Sequence, residues 1–256
     1  MKEREIEGIG GDDFFILDRN QGLIPEWVQE KIKQTKVLLV GCGLGSQIAT
    51  LAARTGFRYF ELWDGDKVEE SNLNRQNFGL LDVGFNKSVS TRLKIESVNI
   101  NAEVKHHERF LRRISDIKAA VRRNDFIINM ADPMDVMYKI SATAQLKGKI
   151  EIHPLNLGWI GYCLILSCHT PTLKRIVGGK IIGMEFYPRL VKATLGKIKL
   201  PKEIDLDKVL AGEMPFPQLG ITSYFTAALV IGAMVKILAG EEVPMAPQPL
   251  ICNPWG

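Results

Sequence analysis

The sequence predicts an α/β fold, a doubly wound and mainly parallel sheet with helices on both faces and a C-terminal strand and helix extension. Three observations predict it. Short apolar runs alternate with helical stretches from residue 36 to 155, the order that builds a parallel sheet with crossover helices. The first run, Lys36 to Val40, ends on a glycine cluster, and the second, Tyr59 to Trp63, ends on Asp64-Gly65-Asp66. The 256 residues, 46% hydrophobic and 24% charged, can bury both faces of such a sheet.

Each element has its own signal. Residues 1 to 20 are polar, then aromatic, and read as an arm. Pro25 to Ile32 reads as a short helix with proline in its first turn. Lys36 to Val40 is a continuous apolar run, as a strand covered on both faces requires. Ser46 to Thr55 is helical and Tyr59 to Trp63 is the next strand. Helices at Asn86–Val98, Ser115–Arg123 and Pro133–Leu146 then alternate with strands at Glu103–His107, Phe126–Asn129 and Ile150–Leu155. Beyond Gly158 the pattern changes. Gly161 to Ser167 is an apolar strand, and two or three strands with long connections are expected in the basic, proline-interrupted stretch that follows, with 170–218 as a functional loop. Ile221 to Ala239 is a long helix closed by Gly240, and Pro249 to Cys252 a last short strand. The expected division is an N-terminal arm and helix (1–35), a nucleotide-binding Rossmann-like core (36–160) and a C-terminal extension with a crossover segment (161–256) in the same globular unit.

Composition excludes several classes. The net charge of +4 is spread along the chain, and the pairs Arg112-Arg113 and Arg122-Arg123 read as solvated helix faces, so no nucleic-acid partner is expected. The N-terminus is charged, with no secretory segment. No apolar run is expected to span a membrane, which takes ~20 residues; residues 221–239 read as a core helix, and a cytoplasmic location is expected. Cys42, Cys163, Cys168 and Cys252 form no CxxC pair, so no structural zinc is expected, and Cys163 and Cys168 read as inert core thiols.

Three segments carry chemistry. Gly41, Gly43 and Gly45 lie between a strand and a helix, where glycines let the backbone approach phosphates at the helix N-terminus. Their spacing is one residue shorter than G-x-G-x-x-G, and a purely structural turn would use the same residues. Asp64 stands about 20 residues past this turn, where dinucleotide folds place the acid that binds ribose; a turn aspartate before Gly65 is the alternative. The run Asp64-Gly65-Asp66-Lys67-Val68-Glu69-Glu70-Ser71-Asn72-Leu73-Asn74-Arg75-Gln76 is more specific. Arg75 suits a forked contact to phosphate and Asn72 a neutral hydrogen bond to sugar or phosphate. A hydride-transfer enzyme has no need of this cluster.

That run closely resembles the D-x-D-x-V-x-x-S-N-x-x-R-Q signature of the ThiF/MoeB/HesA proteins, relatives of ubiquitin-activating enzymes. The resemblance implies ATP-dependent adenylation of a carboxylate with release of pyrophosphate. It implies nucleotide contacts at Gly41, Gly43, Gly45, Asp64, Asp66, Asn72, Arg75, Gln76 and Lys87. It further implies Mg2+ at Asp132, and catalytic roles for Arg75, Lys87, Asp132 and Arg19, the arginine reaching across a homodimer. As residues alone, Lys87 suits an exposed helix lysine, Asp132 a turn aspartate and Arg19 a surface arginine. The implied partner is the C-terminus of a ubiquitin-like or sulfur-carrier protein, or a peptide. The paired CxxC motifs and the crossover cysteine of many members are absent, so activation is expected to stop at the acyl-adenylate or pass to an outside nucleophile. Two other readings stay open: a non-catalytic scaffold or subunit of the same family, and an NAD(P)-dependent oxidoreductase.

Overall fold

The computed structural model describes residues 14–132, 134–183, 185–196, 208 and 217–254. Seven strands form one sheet in the order β3-β2-β1-β4-β5-β6-β7. They are β1 (Lys36–Val40), β2 (Tyr59–Trp63), β3 (Glu103–His107), β4 (Phe126–Asn129), β5 (Ile150–Leu157), β6 (Ile160–Leu166) and β7 (Leu250–Cys252). The first five run parallel; β6 turns back antiparallel on β5, and β7 is antiparallel to β6. β1, β2 and β4 are buried almost throughout, which explains their unbroken apolar character.

The helices are α1 (Phe14–Leu17), α2 (Glu26–Gln34), α3 (Gly43–Thr55), α4 (Lys87–Val98), α5 (Ile114–Arg123), α6 (Met134–Leu146), α7 (Leu173–Ile176), α8 (Phe186–Leu195) and α9 (Gly220–Leu238). One face of the sheet packs Val28 and Ile32 of α2, Ile48, Ala49, Ala52 and Ala53 of α3, and Val230 and Met234 of α9. The other face packs Ile117 and Val121 of α5, Met137 and Ile140 of α6, and Phe186 and Leu190 of α8. The i, i+3 and i, i+4 spacings within each helix are the helical period that places those residues on one stripe.

Three expectations need correction. Where strands were expected after residue 170, the described residues form α7 and α8. Phe186 and Leu190 enter the core and Thr194 meets the Tyr162 hydroxyl at 3.0 Å, a helical spacing; Pro188 is tolerated because it lies in the first turn. Within the 170–218 segment, residues 184, 197–207 and 209–216, Pro201 and Pro215 included, lie outside the described residues. Second, α9 is long and apolar enough to cross a membrane by length and composition. Here it lies on β5 and β6, burying Thr222, Ser223, Thr226, Ala227, Val230, Ile231, Ala233 and Met234. Third, Cys163 is a core thiol that burial pushes up to about 12, but Cys168 is exposed.

Candidate functional site

β1 and β4 are neighbours whose following helices leave on opposite faces, so a crevice opens beyond their carboxyl ends. Ligands of open α/β sheets bind at such a switch point. A cleft of about 200 Å3 lies there, lined by Gly41, Asp64, Asp66 and Asp132 together with Trp63, Phe110, Leu111, Arg112, Met130 and Val136 among others. A larger hollow, about 420 Å3, lies between the 17–24 segment and α2. None of the motif residues lines it, and size without converging polar chemistry does not mark a site.

The turn after β1 explains the glycines unequally. Gly41 has φ of 99°, and a Cβ there would meet the Met130 carbonyl oxygen at 2.9 Å. Only glycine fits that crossing of the β1 and β4 loops. Gly43 and Gly45 already belong to α3, which starts at Gly43 rather than at Ser46. The missing residue of the glycine loop is taken up by an earlier helix start. Gly43 faces the Gln76 side chain and Gly45 the Met130 methyl, so of the three only Gly41 lines the cleft.

Asp64 is buried, its Oδ2 accepting the Cys42 N–H at 2.6 Å and its Oδ1 the Asp66 N–H at 2.8 Å. Burial raises its pKa, a shift only partly opposed by those two N–H groups and the charge of Lys87. Burial, then the charge of Asp64, raises the Cys42 thiol well above its usual range, so it is a poor nucleophile. Asn86 caps α4 by accepting from the Ser88 N–H at 2.8 Å and donates to the Asp64 carbonyl at 3.1 Å. That joint sets Lys87 on the first turn of α4, its Nζ 3.4 Å from Asp66 Oδ2 at the cleft rim. Asp132 is exposed in the cleft beyond β4. Its charge adds to burial in raising Tyr187 of α8 to about 12, so α8 flanks the same opening.

Lys87 itself and four other expected site residues do not line the cleft. Asn72 is buried and its side chain caps the 3-10 turn Glu70–Asn72, accepting from the Glu69 N–H at 3.2 Å. Gln76 packs on Gly43 with its Oε1 buried and unpartnered. Arg75 bonds Gln218, Ser71 and Asn74. Arg19 is exposed in the turn Asp18–Asn20. Conversely, Trp63, Phe110, Leu111, Arg112 and Val136 line the cleft without having been singled out. Phe110 follows the edge strand and presses on Gly65, where a Cβ would meet its ring at 2.7 Å. Arg112 is no helix-face residue; it precedes α5, with its guanidinium 4.9 Å from the Phe110 ring.

Among the described residues no cluster of three or more His, Cys, Asp or Glu could hold a metal by itself. Mg2+ needs less: it is commonly bound by one or two carboxylates plus substrate phosphates. Asp132, with Asp66 across the same cleft, fits that requirement.

Residues 17–255 match the ThiF family. The chain belongs to the ThiF family. MOCS3, an adenylyltransferase and sulfurtransferase of Xenopus laevis, is 30% identical over 143 residues, 55% of this chain and 32% of that protein. MoeZ of Mycobacterium tuberculosis, a probable adenylyltransferase/sulfurtransferase, is 33% identical over 123 residues, 47% of this chain and 31% of its own length. The match thus spans about a third of these relatives. Among solved structures, PaaA superposes with a TM-score of 0.72 at 22% identity, over 97% of this chain and 82% of PaaA. E. coli MccB solved with ATP gives 0.65 at 21% identity, over 86% of this chain and 61% of MccB. At such identities the likeness establishes the fold, a ThiF-type Rossmann-like sheet.

Proposed function

We propose that this ThiF-family protein adenylates a carboxylate with ATP. The observation that carries it is the convergence of Asp64, Asp66 and Asp132 with Gly41 in one cleft at the switch point. Three carboxylates around a nucleotide suit ribose hydroxyls plus a magnesium–phosphate group; a hydride-transfer site has no use for the third. The relatives named as adenylyltransferases support the same reading.

In this reading a substrate carboxylate oxygen attacks the α-phosphorus. The bond from that phosphorus to the α–β bridging oxygen breaks, and pyrophosphate leaves with the electron pair. Positioning and charge neutralisation supply the acceleration. Asp64 takes the ribose, its orientation preset by the Cys42 and Asp66 N–H groups. Gly41 admits the backbone close to the nucleotide. The cleft, about 200 Å3, is smaller than the roughly 300–1,000 Å3 of typical small-molecule sites. In this reading the triphosphate extends beyond the cleft, and Lys87 at the start of α4 and Arg75 are the proposed phosphate contacts. Mg2+ held by Asp132 and the phosphates would neutralise charge developing on the departing pyrophosphate. A second subunit would bring Arg19, which the single chain leaves outside the cleft.

The carboxylate is proposed to belong to a peptide or to the C-terminus of a ubiquitin-like or sulfur-carrier protein, entering beside α8. The test is ATP–pyrophosphate exchange with such proteins and peptides, repeated with Arg75→Ala and Asp132→Ala. Exchange unaltered by both substitutions would remove the assignment.

A further inference from the structure

Arg75 is held in an unusual way for a residue that is to grip a phosphate. Its Nη1 donates to the Ser71 carbonyl at 2.6 Å and to Asn74 Oδ1 at 2.8 Å, and its Nε donates to Gln218 Oε1 at 2.8 Å. Among the described residues Nη2 has no partner, so its two N–H groups are the open edge of the guanidinium. Ser71 and Asn74 belong to the same loop as Arg75. Gln218 comes from the other end of the chain, 143 residues away.

Gln218 is itself fixed on several sides. Its backbone bridges Gly158 at the β5–β6 turn, and its carbonyl accepts from Asn74 Nδ2 at 3.4 Å. Two residues on, α9 begins at Gly220, where a Cβ would lie 2.6 Å from the Asn74 carbonyl oxygen. The backbones of the Arg75 loop and of the α9 start are therefore in contact, and only glycine permits it. Thr222 closes the joint by donating to the Gly158 carbonyl. Gln218 thus has a rigid base from which to hold the Arg75 side chain.

We propose that Gln218 is a positioning residue that orders the Arg75 guanidinium before ATP arrives, so that Nη2 faces the phosphates. The inference rests on the reading of Arg75 as a phosphate contact. A long, flexible side chain loses rotamer freedom when it grips a ligand, and a side chain already pinned by three acceptors has less to lose. Immobilising one such chain costs about 0.5–1.5 kcal/mol, which corresponds to a loss of roughly two- to tenfold in ATP affinity when the anchor is removed.

The test is calorimetric titration of the full chain with ATP–magnesium. The variants are Gln218→Met, which keeps volume but removes the amide acceptor, Gln218→Ala, Arg75→Ala and the double variant Gln218→Met/Arg75→Ala. The expected result is roughly two- to tenfold weaker binding for both Gln218 variants and no further loss when Gln218→Met is added to Arg75→Ala. A residue that merely shapes the start of α9 would weaken the double variant as much as the wild type. Wild-type affinity in the Gln218 variants, tighter binding, or losses that multiply in the double variant would each overturn the inference while leaving the adenylation reading intact. Failure of the wild type to bind ATP–magnesium would overturn both, and is told apart by that one measurement.

Discussion

Two buried carboxylates stand three residues apart around the end of β2, and their surroundings differ sharply. Glu61 is met by donors from every side: Trp63 Nε1 at 2.9 Å, Asn124 Nδ2 at 3.0 Å, Arg123 Nε at 2.6 Å and Arg123 Nη2. His107, stacked on Trp63 with ring centroids 3.6 Å apart, lies 3.2 Å away. Burial alone would raise Glu61, but the bonds from Arg123, Asn124 and Trp63 outweigh it and hold its pKa below the ordinary 4.5. Asp64 has two backbone N–H groups, and burial leaves its pKa raised. A carboxylate whose hydrogen-bonding capacity is filled by the protein is part of the scaffold. One buried with capacity left over, beside a cleft, is open to a ligand.

The comparison can be broken most severely at Glu61. Glu61→Ala removes the acceptor that Trp63, Asn124 and Arg123 share and should cost about 3–5 kcal/mol in chemical denaturation, with ATP affinity retained by whatever remains folded. Loss of ATP binding in a fully folded variant would refute the division of roles. Asp132→Ala should do the reverse, lowering pyrophosphate exchange by ~10²–10³ with stability within about 0.5 kcal/mol of wild type, as for exposed positions. Asp64→Ala should weaken ATP binding about tenfold in a calorimetric titration, the size of one hydrogen bond to a charged group, with the unfolding midpoint recorded as the control for folding.

The smallest effect sharpens the contrast through pH. Glu61, with its folded pKa lowered, contributes stability that is present above 4.5 and lost as pH falls through the folded value. Asp64, with its folded pKa raised, contributes in the opposite direction: ionisation of the folded state is opposed, so stability falls as pH rises from 3.8 through the folded value. Denaturation of wild type, Glu61→Gln and Asp64→Asn from about pH 3 to pH 7 measures both. The stability gap from wild type to Glu61→Gln should widen with rising pH, and the gap to Asp64→Asn should narrow. Gaps that change in the same direction with pH would erase the distinction.

Much of this arrangement is written locally in the chain. β1, β2 and β4 occupy the residues expected of them, Lys36–Val40, Tyr59–Trp63 and Phe126–Asn129, because parallel strands covered on both faces read as short apolar runs with abrupt polar ends. Those ends carry Gly41, Asp64 and Asp132, so the acidic side of the cleft was visible too. What was hidden depends on contacts distant in sequence. The apolar and basic wall comes from Phe110 to Arg112, after the edge strand, and its place is set by packing on Gly65. The partner of Arg123, at the end of α5, is the buried Glu61 on β2. α8 hides in a basic stretch where only Phe186, Leu190 and Thr194 mark the period, and the grip of Gln218 on Arg75 spans most of the chain.

A further consequence lies in the polar side chains under α9. Asn156 of β5 donates to Ser223 Oγ at 2.9 Å and accepts from Thr226 Oγ1 at 2.8 Å, all three buried. A helix this uniformly greasy could be turned about its own axis with little change in area covered; these bonds choose one angle, because any other would strand polar atoms in oil. The clocking of that cylinder decides where its leading end meets the loop of Asn74, so a trio of hydroxyl and amide groups on β5 and α9 also settles where Gln218 stands against Arg75.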